Sequence, residues 1–201
     1  GEYQILTFQP CHWDRSKMKI IAVHSHKDGL NFLKKNHPTE LEEIKLVIKN
    51  TDAKKHRTKT SKEITMKGKK LYAPKKLNIE MKEEFEKLGW KAHKIPVTTE
   101  VKNPPYKEKF KGSREVDFLK NKVAVEVQFG KYAFMAYDMF SKMPIFHKQG
   151  LIDCGVEIVP MQTMMKEMST GVSSYQQILC DFDLRGEADI DIPTVVIGIE
   201  P

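Results

Sequence analysis

The amino-acid sequence predicts an α/β fold in which helices flank a central mixed β-sheet. Short segments rich in Val and Ile, typical of buried strands, alternate along the 201-residue chain with segments that have helical apolar spacing. A composition of 40% hydrophobic and 30% charged residues is that of a globular protein with a full core. The longest apolar segments are far shorter than the roughly 20 residues that cross a bilayer, so no membrane association is expected.

The first part of the chain predicts a strand at residues 19–24 and two helices within residues 30–50, separated at Pro38. Thr39 is the expected N-cap of the second helix, with Glu42 completing a capping box. A third helix with Ile79, Phe85 and Leu88 on its apolar face ends at Gly89. This third helix covers residues 79–88, and the segments around it are assigned as a loop or irregular helix at 54–76, a strand at 91–98 and a connector at 102–112.

The second part of the chain begins with two strand-like runs close together. The pair Lys120-Asn121 between them suits a tight hairpin turn. The elements predicted here are strands at 115–119 and 122–129, an apolar helix at 132–147, and buried strands at 156–160 and 194–199.

The domain organisation is predicted to be simple. Residues 18–201 form one domain, because Met18 opens the first strand-like run, and residues 1–17 are an N-terminal extension or a non-native remnant without the features of a secretion signal. Three widely separated cysteines with no C-x-x-C pair indicate neither a disulfide framework nor a zinc cluster. A reducing cytoplasm is the expected location.

Positive charge is concentrated in one part of the chain. The formal net charge is +7, and residues 54–70, here called the basic segment, hold eight Lys or Arg but only one acid, Glu63. Such a segment is expected to neutralise phosphates, with Arg57, Lys59 and Lys62 among the contacts. The alternative is an ordinary solvated surface.

Two carboxylates and an amide are the candidate catalytic groups. Asp117 lies in the first hairpin strand, and Glu126 and Gln128, two residues apart in the second, share one face of the sheet. The hairpin can bring Asp117 beside Glu126, where the two carboxylates and the Val127 carbonyl could ligate Mg²⁺. Gln128 could orient water or a phosphate. The alternative is that Asp117 and Glu126 pair with Arg114 or a lysine, and ordinary ion pairs are also expected for Asp138 and Glu157.

The sequence around these residues resembles that of a known family. The segments DFLKNKVAVEVQFGKYAFMAYDMF, CGVEIVPMQTMMKEMSTGVSSY and TVVIGIEP are similar to type II restriction endonucleases of the BstYI and BglII kind, in the PD-(D/E)xK nuclease superfamily. Asp117 and Glu126 match the two acidic positions of the pattern. The usual lysine is replaced by Gln128, as in this branch of the superfamily, and the usual proline by Val116.

The resemblance implies a restriction-endonuclease-like core and a Mg²⁺-dependent enzyme that cuts duplex DNA. It further implies a homodimer acting on a palindrome with a GATC core, R-GATC-Y being the favoured site, with 5′ overhangs as the product. A partner methyltransferase is expected. Lys131 is the candidate donor to a guanine, and the candidate base-reading loop, which can also be interpreted as a capped helix end, contributes Ser169, Thr170, Ser173 and Ser174.

Two other functions fit the same sequence. The first is a repair or structure-specific nuclease with this core, which would cut flaps or junctions without a fixed sequence preference. The second is a catalytically silent DNA-binding protein, suggested by Gln128 in place of lysine. Digestion of DNA of known sequence separates the three.

Overall fold

The computed structural model describes residues 17–105, 107–185 and 192–201. The predicted extension at residues 1–17 lies outside the described residues, apart from Lys17. The elements of the described residues, in chain order, are β1 (Lys19–His26), α1 (Gly29–Asn36), α2 (Pro38–Asn50), β2 (Lys59–Thr60), β3 (Lys70–Leu71), α3 (Pro74–Lys87), β4 (Lys91–Val101), β5 (Glu108–Lys120), β6 (Val123–Val127), α4 (Tyr132–Tyr137), α5 (Met143–Lys148), β7 (Cys154–Pro160), α6 (Gln162–Met165), α7 (Tyr175–Arg185) and β8 (Thr194–Glu200).

Six of these strands form one mixed sheet in the order β1-β8-β7-β6-β5-β4. The central strands β6, β7 and β8 run parallel, whereas β1, β5 and β4 pair antiparallel with their neighbours. Parallel neighbours need long crossovers, and the helices between β6 and β7 and between β7 and β8 supply them. The predicted mixed sheet flanked by helices is confirmed.

Helices cover both faces of the sheet. On one face, Leu33 of α1, Ile44 of α2 and Phe85 of α3 are buried in one cluster with the valines of β6. Met135 of α4, Met143 of α5 and Ile178 of α7 belong to the buried layer on the other face. Among the described helices, none has the length and apolar character needed to span a membrane.

The start of α2 differs from the prediction. His37 is the N-cap, Pro38 is the first helical residue, and no side-chain hydrogen bond caps the end. The predicted Thr39 cap is therefore wrong. Proline suits the first helical position because it lacks the N–H that would be left unpaired there and has a preset φ angle.

The apolar face of α3 also differs from the prediction. The helix begins at Pro74, five residues before the predicted start, and buries Leu77, Met81 and Phe85 at a regular spacing of four. Ile79, which was assigned to this face, is 56% exposed. Ile79 and Phe85 are six residues apart and therefore point to different sides of the helix, whereas residues four apart share one side.

We expect Phe85→Ala to destabilise the fold strongly and Ile79→Ala, on the same helix, to leave it nearly unchanged. Phe85 is fully buried and stacks on Phe118 with ring centroids 4.4 Å apart. Truncating such a side chain costs about 3–5 kcal/mol, whereas exposed positions shift stability by about 0.5 kcal/mol or less. Urea unfolding of both variants measures the difference. Equal losses would contradict the buried face described above.

Two connecting segments are more ordered than predicted. The basic segment contains turns of 3-10 helix at Lys54–His56 and Ile64–Met66, and β2 pairs with β3 as a two-stranded ribbon. The predicted connector at 102–112 is shorter, because β5 already begins at Glu108 and pairs with Val101. This antiparallel pair is mostly polar and therefore lacks the apolar runs from which strands are predicted.

The turn between β5 and β6 lies one residue further along than predicted. Lys120 pairs with Val123, which leaves Asn121 and Lys122 as the turn residues, with φ angles of 45° and 63°. Two residues with positive φ are the signature of the hairpin turn whose twist matches the strands. This turn sets the register of the residues described next.

Candidate active site

Asp117 and Glu126 meet across the hairpin of β5 and β6. The register that pairs Phe118 with Val125 places them opposite each other. The Asp117 N–H donates to Glu126 Oε1 at 3.4 Å, and the Val127 N–H donates to Asp117 Oδ2 at 3.1 Å. Asp117 is exposed, whereas Glu126 is only 2% exposed. The predicted proximity of the two carboxylates is thus present.

Gln128 is fixed from two sides. Its amide Nε2 donates to Asp138 Oδ2 at 3.2 Å, and its Oε1 accepts from the Gly130 N–H at 2.9 Å. The backbone N–H of Gln128 donates to the Ile158 carbonyl on β7. The amide therefore has a defined orientation next to the carboxylates.

Lys142 is a residue of the site that sequence reasoning missed. Its ammonium lies 2.7 Å from Glu126 Oε1 and 2.8 Å from Asp138 Oδ1. Asp138 and Lys142 are the two ends of a π-helical turn between α4 and α5, an irregularity frequent at functional sites. The alternative interpretation paired Glu126 with a lysine as a solvated strand residue; a lysine partner is present, but Glu126 and Lys142 are both buried. The spacing of four between Asp138 and Lys142 was the available signal.

The site holds more acid than Lys142 neutralises. Glu157 on β7 is the parallel partner of Glu126 and is fully buried. Burial raises the pKa of Glu126 well above its usual value, and the neighbouring Asp117 and Asp138 carboxylates raise it further. Burial likewise raises the pKa of Asp138 and of Glu157. Because Lys142 supplies a single positive charge, the three acids are not all ionised together unless a further cation compensates their charge.

Lys142 remains charged under all ordinary conditions. Burial by itself lowers the pKa of its ammonium, but the Glu126 and Asp138 carboxylates outweigh that effect and raise the pKa above its usual value. Lys142 is therefore a fixed positive charge in the site and not a proton acceptor at neutral pH.

We expect the metal-free protein to lose stability as the pH rises from about 5 to about 9. The raised pKa values of Glu126, Asp138 and Glu157 mean that the folded state holds protons which the unfolded chain has released. Their stabilising contribution is complete below the unfolded-state pKa near 4 and declines as the pH rises through the folded-state values.

Thermal unfolding in EDTA checks this expectation. Each kcal/mol lost lowers the Tm of a chain of this size by about 2–4 °C. Glu126→Gln, which removes one of the titrating groups, should show a shallower decline. A Tm that rises over this pH range would contradict the raised pKa values.

The carboxylates line a cleft of about 500 Å³. Asn78 and Lys82 from α3 also line the cleft, and both are exposed. Sequence reasoning did not include either residue in the site, because they lie 39 and 35 positions before Asp117 and no local pattern connects them.

A divalent cation suits these donors, although the arrangement is not a preformed cage. Among the described residues, no group of three or more His, Cys, Asp or Glu side chains is set up to hold a metal ion. The cleft nevertheless offers oxygen donors, with Asp117 open to solvent, and its three carboxylates outnumber its two ammonium groups, those of Lys82 and Lys142. Hard cations such as Mg²⁺ prefer oxygen ligands, and excess negative charge favours their binding.

The predicted base-reading residues divide into a more accessible pair and a buried pair. Thr170 is exposed and Ser169 is half-buried, whereas Ser173 and Ser174 are each 1% exposed. Ser173 donates through both its N–H and its Oγ to the Gly130 carbonyl. Lys131, exposed at the start of α4, forms a bridge with Val172.

The predicted phosphate contacts lie on the surface beside this loop. Lys59 and Lys62 are exposed, and Arg57 is half-buried. Lys59 Nζ donates to Ser169 Oγ, and Arg57 forms an ion pair with Glu167 at 2.6 Å. The basic segment and the loop are thus neighbours in space.

Comparison with known proteins identifies the family. The family model described as restriction endonuclease BglII/BglIII matches residues 21–199, which is most of the chain and includes all the site residues above. The chain belongs to this family. The endonuclease is therefore a site-specific deoxyribonuclease. A search of curated proteins gives no match.

Solved structures of similar fold agree with this assignment. A crystal structure of restriction endonuclease BglII complexed with a DNA 16-mer is 19% identical, with a TM-score of 0.65 over 90% of the endonuclease and 75% of that chain. A crystal structure of free BglII is 18% identical, with a TM-score of 0.56 over 90% and 78%. The restriction-endonuclease-like core predicted from the sequence is confirmed.

Proposed function

We propose that the endonuclease is a Mg²⁺-dependent type II restriction enzyme that hydrolyses phosphodiester bonds in duplex DNA. The observation that carries the proposal is the acidic cleft, in which Asp117 and Glu126 stand opposite each other beside a fixed amide and a fixed ammonium. The likeness in fold to BglII, crystallised with a DNA 16-mer, supports duplex DNA as the substrate.

In this proposal each residue of the cleft has a separate task. Asp117, Glu126 and the carbonyl of Val127 hold Mg²⁺, which when bound supplies Lewis-acid activation of the attacking water and charge compensation at the phosphate. Gln128 positions water or a phosphate oxygen through its amide, because it carries no charge and is no base. Lys142 keeps Glu126 in place through the 2.7 Å ion pair.

DNA is bound by two further groups of residues. Arg57, Lys59 and Lys62 neutralise phosphates and give salt-dependent affinity without sequence choice. Sequence is read by Lys131 and by the loop of Ser169, Thr170, Ser173 and Ser174. The burial of the last two favours contact through the exposed end of the loop, or contact after the loop has moved.

The finer properties follow from the resemblance described above. We propose one endonuclease domain at residues 18–201, which acts as a cytoplasmic homodimer with a partner methyltransferase. A two-fold symmetric protein matches a palindromic site. The proposed target has a GATC core within R-GATC-Y, cut to leave 5′ overhangs.

Digestion of DNA of known sequence with Mg²⁺, followed by sequencing of the fragment ends, tests the proposal. The expected result is a set of discrete fragments whose ends all fall at GATC-containing palindromes. A random smear, or cutting confined to junctions, would favour the repair nuclease. Tight binding of DNA that stays intact would favour the catalytically silent protein. The same digestion with EDTA is the control for the metal.

A further inference from the structure

The exposed end of the base-reading loop is held by an acid in the basic segment. Glu63 Oε1 accepts two hydrogen bonds from Thr170, one from the backbone N–H at 3.1 Å and one from Oγ1 at 2.8 Å. A carboxylate that receives both donors of one residue fixes its backbone and its hydroxyl together. Both hydrogen bonds lower the pKa of Glu63, so the group stays ionised at neutral pH.

The other end of the loop is held independently, next to the candidate catalytic strand. The Ser173 N–H and Oγ donate to the Gly130 carbonyl, and the Gly130 N–H donates to Gln128. The loop is therefore attached at two points, to Gly130 through Ser173 and to Glu63 through Thr170. Loss of the Glu63 contact would release Thr170, while Ser169 keeps its hydrogen bond from Lys59 and the end near Gln128 stays attached.

The charge of Glu63 does not suit a phosphate contact. It is the only acid among eight basic residues of the basic segment, and a carboxylate there opposes the approach of DNA. Its hydrogen bonds, in contrast, restrict a segment whose exposed hydroxyls are proposed to face the bases. A base-reading loop with a fixed conformation discriminates better than a mobile one, because it cannot adjust to a wrong base and its polar groups are then left unpaired.

We propose that Glu63 is a positioning residue for sequence discrimination, which holds Thr170 in place for reading the DNA. This inference rests on the proposed function. Glu63 contacts no reacting group, and its effect reaches the DNA through Thr170. Its removal widens the range of sequences that are cut, without removing the catalytic carboxylates.

Two substitutions separate the hydrogen bonds from the charge. Glu63→Ala and Glu63→Gln each remove one negative charge, but only the glutamine keeps an acceptor oxygen for Thr170. Charge alone therefore predicts the same modest gain in affinity for random duplex DNA in both variants. Glu63 is half-buried next to the exposed Lys62, and thermal unfolding of both variants verifies that they fold.

The readout is the ratio of kcat/KM for the preferred duplex to kcat/KM for duplexes with one changed base pair. We expect this ratio to fall about tenfold in Glu63→Ala and to stay within about threefold of wild type in Glu63→Gln, given the usual worth of one good base contact. An unchanged ratio in Glu63→Ala, or equal losses in both variants, would overturn the inference alone. A wild-type chain that cuts without sequence preference would overturn the proposed function as well.

Discussion

Asp117→Ala and Glu126→Ala are each expected to lose about a thousandfold or more in cleavage rate, because a catalytic metal supplies several kcal/mol and each 1.36 kcal/mol is a factor of ten. Binding of duplex DNA should be largely retained, since the proposed phosphate contacts lie on the basic segment and not on the hairpin. Single-turnover cleavage and a filter-binding isotherm measure the two effects separately.

Glu115→Ala is the matched control for this pair of variants. Glu115 lies two residues from Asp117 on the same strand, is exposed, and pairs in register with Lys94 of β4 and not with β6. It should cleave at the wild-type rate. Retained turnover in either Asp117→Ala or Glu126→Ala would contradict a catalytic role for that carboxylate. A loss of DNA affinity as large, in fold-change, as the loss of cleavage rate would show that the carboxylates act in DNA binding.

Lys142→Met is expected to destabilise the metal-free protein by about 3–5 kcal/mol, the usual cost of removing one partner from a buried ion pair. Methionine fills a similar volume but leaves Glu126 and Asp138 without their ammonium, at positions that are 2% and 3% exposed. Added divalent cation should restore more stability in the variant than in the wild type, because the cation compensates the same charge. Thermal unfolding with EDTA and with Mg²⁺ measures both effects.

Lys82→Met is the control for the loss of a positive charge in the same cleft. Lys82 is exposed and lies 3.7 Å from Glu86, an ion pair of a kind that contributes little. Its replacement should leave the Tm nearly unchanged. If Lys142→Met were as stable as wild type in EDTA, the buried ammonium would not be the counter-charge of the carboxylates.

The parts of the site that the sequence predicted are those encoded by local periodicity. Alternation along residues 122–129 places Glu126 and Gln128 on one face, and the short turn requires Asp117 to come close. The turn itself was misplaced by one residue. The carboxylates still met, because the pairing of the flanking apolar residues decides the register.

The parts that the sequence did not predict depend on contacts between distant segments. Lys142 follows Asp138 by four residues, but it lies within a run of Met and Phe that reads as core, so its polar role was not visible. The hydrogen bonds between Glu63 and Thr170 join residues 107 positions apart. No pattern in either segment indicates the other, and only the packing of the helices around the sheet brings them together.

The proposed mechanism requires a divalent cation to bind between Asp117 and Glu126. The most direct measurement replaces Mg²⁺ by Fe²⁺ and adds peroxide and ascorbate, so that radicals formed at the bound ion cut the nearby polypeptide, and the cut positions are read by mass spectrometry. We predict cuts close to Asp117, to residues 126–128 and to Asp138, which are lost in Asp117→Ala. Cuts confined to other parts of the chain, or unchanged in that variant, would contradict the account.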